Sequence, residues 1–137
     1  MLALEMEKAA VKSFMGKMLR EEILDVFEVR LVEISAATRI SIEATTPAAW
    51  MGLRPMIFEI MKLSAKPRFM KIVFSLPNAE ELHSNAAALF LNLVYENDNL
   101  TFTTASAQKE FALDKSIDIA WDEWIRQFFR GFPVKDR

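Results

Sequence analysis

The chain has 137 residues, the length of one domain, and its 52% hydrophobic and 26% charged composition excludes an intrinsically disordered polymer. Three Gly and five Pro exclude collagen-like or low-complexity sequence, and the absence of Cys removes disulfides, thiol catalysis and cysteine-bound metals. A net charge of −2 is not the broadly basic balance of many nucleic-acid binders, and no apolar run approaches the ~20 residues of a membrane-spanning helix.

The opening Met1-Leu2-Ala3-Leu4-Glu5 lacks the basic lead of a secretory signal, so a cytoplasmic address is expected. Residues 2–6 read as a short strand. Residues 8–20 then form an amphipathic helix, because Val11, Phe14, Met15, Met18 and Leu19 recur at helical spacing with Lys12, Lys17 and Arg20 on the other side. Residues 27–45 alternate with period two and predict two strands joined near Ala36-Ala37-Thr38, a unit that Pro47 ends.

A second helix is predicted over 53–64 with Pro55 in its first turn, where a missing N–H costs nothing. Its apolar residues cover most of the circumference, which predicts burial on two sides. A strand from Phe69 to Leu76 follows. Asn78 and Glu81 fit a capping box on another short helix. Ala88 to Tyr95 and residues 100–105 read as strands around the turn Asn97-Asp98-Asn99, with Leu100, Phe102 and Thr104 on one face and a third strand near 108–112.

Asp114 can cap a helix over about 115–130, whose stripe is Ile117, Ala120, Trp121, Trp124, Ile125 and Phe128. Gly131 sits at its stop position, followed by Pro133. Two indoles and a phenyl ring on one stripe require an apolar surface to dock on. The sum is a single α+β domain over 1–137: a mostly antiparallel sheet with helices packed on it, including a long C-terminal helix.

Trp50, Leu53-Arg54-Pro55, Phe58-Glu59, Leu91-Asn92, Tyr95-Glu96-Asn97, Leu113-Asp114-Lys115-Ser116 and Trp121-Asp122-Glu123 resemble an uncharacterised family of clostridia and related bacteria, known as a domain of unknown function. That resemblance implies a bacterial cytoplasmic protein and carries no site residues with it. At the level of fold, the order strand, basic-faced helix, strand pair, helix and strands also resembles one domain of a DNA sliding clamp.

Catalytic signatures are missing. His83 is the one histidine, read either as a hydrogen-bonded surface residue or as a general base. Neighbouring carboxylates such as Glu21-Glu22 diverge on a helix, and Asp118 with Asp122 gives two oxygen ligands where a hard cation needs more. Gly16, Gly52 and Gly131 are too far apart for a phosphate cradle. No cofactor, metal or membrane is expected.

Two surfaces stand out. Arg54, Lys62, Lys66, Arg68 and Lys71, with Lys12, Lys17 and Arg20, are a candidate patch for phosphates or an acidic partner. Trp50, expected in a proline-bounded loop, and Ile119, Phe129 and Phe132 are candidate subunit-interface residues. The function expected first is therefore a non-catalytic binding or assembly module with a protein partner or a second copy of itself. A nucleic-acid-associated factor ranks second, and an enzyme using carboxylate or Tyr95 chemistry third.

Overall fold

The structure, a computed structural model, describes residues 1–36, 38–63 and 67–137. In chain order the elements are β1 (Ala3–Met6), α1 (Lys8–Arg20), β2 (Glu28–Ser35), β3 (Arg39–Ala49), α2 (Trp50–Leu63), β4 (Phe69–Ser75), a 3-10 turn (Ala79–Glu81), β5 (Ala86–Glu96), β6 (Asn99–Gln108), α3 (Ser116–Phe128) and β7 (Val134–Asp136). The strands form one sheet in the order β3-β2-β4-β5-β6-β1-β7, and each neighbouring pair is antiparallel. The fold is α+β.

Strand periodicity sorts the side chains into an inner and an outer face. Val32, Ile72, Leu93, Phe102 and Leu4 sit opposite one another across the strands and are all buried. The three helices cover this face. Phe14 of α1 meets Phe102 edge-on at 5.7 Å, and Trp50 of α2 meets Phe74 at 5.2 Å. The outer row Glu33, Lys71, Val94, Thr101 and Glu5 stays half-buried without a helix over it, as antiparallel sheets allow.

The β5–β6 hairpin follows its turn chemistry. Asn97 and Asp98 both have positive φ (52° and 63°), the condition for the tight turn that matches strand twist. Leu100, Phe102 and Thr104 share the buried face, as their alternation predicts.

Several local expectations are corrected. Pro47 does not end the second strand. It lies inside β3, at the edge of the sheet, where residues 44–47 bulge opposite Arg30, and an edge bulge is where a strand tolerates proline. Trp50 is not in a loop but opens α2, so Pro55 falls inside the helix rather than in its first turn. Pro55 has no N–H to give the carbonyl of Met51, and both residues are exposed, where water can take the donor's place. The expected strand link at Ala37 and the expected helix end at 64 lie outside the described residues.

The Asn78/Glu81 capping box does not form. Asn78 is left-handed (φ 56°) and makes no side-chain cap bond, and the segment is a single 3-10 turn. The third strand expected near 108–112 does not form: β6 itself runs on to Gln108, and residues 109–112 are not in a strand. The last helix is 13 residues long, no longer than α1, and β7 follows it, so it is neither unusually long nor terminal. Among the described residues, no helix is long and apolar enough to cross a membrane.

Candidate interaction surface

At one end of the sheet the segment before β5 and the segment after β6 come together. Ala86 pairs with Gln108 as the last rung of the hairpin, so the residues flanking these two lie side by side. Lys109 Nζ reaches Glu80 at 2.8 Å and holds its carboxyl below the ordinary value of 4.5. Asn85 takes both backbone groups of Glu110: its Oδ1 accepts the N–H at 3.0 Å and its Nδ2 donates to the C=O at 2.9 Å. Gln108 does the same to Ala112, accepting at 3.0 Å and donating at 3.1 Å. These amides occupy the groups a further strand would have paired with, which is why the expected strand is absent.

His83 belongs to the same brace. The backbone N–H of Asn85 donates to Nδ1 at 3.1 Å, which puts the ring proton on Nε2. Nε2 then donates to Ser116 Oγ at 2.8 Å, and that hydroxyl donates to Asp114 Oδ1 at 2.5 Å. Asp114 also accepts the Ser116 N–H at 3.0 Å. The serine oxygen receives a proton from histidine and gives its own to aspartate. This is the reverse of a nucleophile held by a base, where histidine must accept from the hydroxyl. His83, Ser116 and Asp114 act here as a clasp between the two loops.

Ser116 holds the Asp114 carboxyl below its ordinary 3.8, mainly through the hydroxyl bond. A carboxyl lowered on folding stabilises the folded form at neutral pH and loses that contribution as pH falls through its lowered value. With Asp114 and Glu80 both lowered, the protection of the Lys109 and Ser116 amides, measured against their intrinsic exchange rates at each pH, is expected to hold from neutral pH to about 5 and to fall only below the ordinary carboxylate range. Protection that falls already between about pH 7 and 5 would show that other groups hold the brace.

Out of this fixed loop project two large apolar side chains, Phe111 at 86% exposure and Leu113 at 84%. Beside the same end lies a groove of about 400 Å³ lined by Val26, Leu76, Pro77, Leu82 and Trp124, with Asn78 and Glu81 on its polar side. Sequence reading placed Phe111 in a strand and missed both projecting residues. Their signal was an apolar pair spaced by one residue, with Lys109-Glu110 before it and Asp114-Lys115 after it.

The interface residues expected from sequence divide. Trp50 (0% exposed) and Phe129 (2%) are spent inside the chain, a correction to their candidate role. Trp50 Nε1 donates to the Met18 carbonyl at 3.1 Å, and Phe129 lies 4.6 Å from Phe102. Phe132 is half-buried against Phe14, and Ile119 remains exposed.

The candidate basic patch is also dispersed. Arg54 is bound in two places by Asp25, at 2.9 and 3.0 Å, and that contact raises its pKa. Lys62 pairs with Glu59 and lies over the Phe58 ring. Arg68 donates to the Ala36 carbonyl, and Lys71 stands on the outer sheet face, away from the helices. Lys12, Lys17 and Arg20 stay exposed on α1, and Lys66 lies outside the described residues.

Asp118 and Asp122, weighed from sequence as a cation pair, instead accept hydroxyls from β6. Ser106 Oγ donates to Asp118 and Thr104 Oγ1 to Asp122, each at 2.6 Å. The i, i+4 spacing of the acids matches the i, i+2 spacing of the hydroxyls and ties α3 to the sheet.

The profile of a family of unknown function, DUF5721, matches residues 35–134. The chain belongs to this family. The matched span holds the clasp, the projecting pair and all of the groove except Val26, while β1 and α1 precede it. No curated protein and no solved structure matches the chain.

Proposed function

We propose that the chain is a non-catalytic assembly module that pairs with a second copy of itself, the Phe111–Leu113 projection of one copy seating in the Trp124 groove of the other. The observation that carries this reading is the projection itself. Burying two such side chains yields about 1.5–3 kcal/mol each, and the amide braces have already removed the loop entropy that docking would otherwise cost. Charge supports the same match. Lys115 flanks the projection and Glu81 edges the groove, and neither has an ion pair among the described residues. The cytoplasmic address and the clostridial relationship expected from sequence are kept as part of this proposal.

Two anchors of this size support a modest interface, with an expected Kd from about 1 µM upward. Light scattering after gel filtration, from about 1 µM to 1 mM protein, is expected to show growth from monomer to dimer with concentration. Phe111→Ser with Leu113→Ser leaves the core untouched and is expected to give a monomer throughout. Lys115→Glu or Glu81→Lys alone weakens association, and the two together in one chain restore it. A wild-type chain that stays monomeric over the whole range overturns the reading.

A further inference from the structure

At the opposite end of the sheet, the β5–β6 turn, the start of α1 and the end of α2 enclose a cleft of about 490 Å³. That volume lies within the range that small molecules occupy. Its apolar lining comes from Val11 and Met15, one turn apart on α1, from Met61 of α2 and from Pro67. Lys8 and Lys12 stand at the rim, also one turn apart, on the helix that carries Val11 and Met15. Both lysines are exposed, and among the described residues neither has an ion pair. Two like charges at this spacing repel along the helix, and an anion placed between them relieves that repulsion.

The other polar side of the cleft is Tyr95, whose hydroxyl donates to Asp98 at 2.9 Å. The lysines hold an anionic head at the α1 side of the cleft. The tail then lies along the methionines and the face of Tyr95.

We infer that this cleft binds a small amphipathic anion: an apolar body of aliphatic chain or ring, ending in one carboxylate or phosphate held by Lys8 and Lys12. The inference is independent of self-association, because cleft and projection lie at opposite ends of the sheet.

Methyl NMR on the methionine-labelled full chain tests it directly. Met15 and Met61 report from the cleft, while Met18, fully buried and not part of the cleft lining, reports on the integrity of the fold. Decanoate, decyl phosphate and decanol are titrated below their micelle concentrations. Decanoate and decyl phosphate are expected to shift Met15 and Met61, leave Met18 in place, and bind about tenfold more tightly than decanol. Lys8→Gln with Lys12→Gln is expected to abolish that preference while Met18 stays unshifted. Three outcomes overturn the inference: no shift at Met15 and Met61, equal affinity for decanol, or sedimentation with anionic phospholipid vesicles while the free amphiphiles leave both methyls unmoved.

Discussion

Trp121→Ala is expected to cost about 3–5 kcal/mol of folding stability, the range for emptying a large aromatic site in a packed core. The indole is fully buried, stacks on Trp124 with centroids 5.3 Å apart, and donates from Nε1 to the Phe90 carbonyl at 2.9 Å. It therefore couples α3 to the middle of the sheet both by area and by a directed bond. Against a typical total of 5–15 kcal/mol, this loss takes a large share and lowers Tm by roughly 10–20 °C. Trp121→Phe separates the two contributions. It keeps a ring in the site and removes the donor, for about 1 kcal/mol beyond the volume lost. Chemical denaturation of both variants measures the difference. A loss below about 1 kcal/mol for the alanine variant would mean that α3 does not close this core.

The aromatic stripe on α3 was legible for the same reason that its removal is expensive. Ile117, Trp121 and Ile125 recur every four residues and are all buried, and with Ala120, Trp124 and Phe128 they make an i, i+3, i+4 stripe that a helix brings to one side and a strand would divide between two faces. The hairpin of β5 and β6 was equally open to reading, since left-handed residues between two alternating runs leave few other structures. The first helix was readable to its ends. The failures share a cause. In local chemistry a proline breaks a strand, and a tryptophan between Pro47 and Pro55 reads as a loop residue. What decided both was distant: the edge position of β3 for the proline, and the Met18 carbonyl, 32 residues away, for the indole. β7 pairs over three residues with a strand at the far end of the chain, too short a run to carry periodicity.

The candidate surfaces were harder to read than the fold, because surface chemistry depends on which charges are neutralised. The basic residues between 54 and 71 share a stretch of sequence but not a surface. Strand alternation sends Lys71 to the outer face, and Asp25, from the loop after α1, meets Arg54. The braced loop was hidden for the opposite reason. Asn85 and Gln108 look like ordinary polar residues until the last rung of the hairpin brings them to the backbone of Glu110 and Ala112. Side-chain amides that stand in for a strand leave no periodic trace.

The second large effect is expected at Thr104, a buried hydroxyl that serves two masters. It accepts the backbone N–H of Leu2 at 2.9 Å and donates to Asp122 at 2.6 Å. Thr104→Val keeps the shape and strands both partners: a buried N–H at the head of β1, and Asp122 Oδ1, while the Met1 ammonium stands 3.8 Å from the other carboxylate oxygen, Oδ2. Losing a bond to a charged group and leaving a buried donor unmet together cost about 2–3 kcal/mol. Ser106→Ala removes the parallel bond to Asp118 at a half-buried position, where water can replace it, and is expected to cost less than about 1 kcal/mol. Thr104→Ser should recover most of the loss, because it restores the hydroxyl without the methyl. The damage should also be local. β1 is held by three paired residues on each side, so freeing Leu2 raises amide exchange in β1 and β7 first, while β4, β5 and the brace keep their protection. Uniform acceleration across the sheet would instead mean that Thr104 supports the whole core rather than the seating of its first strand.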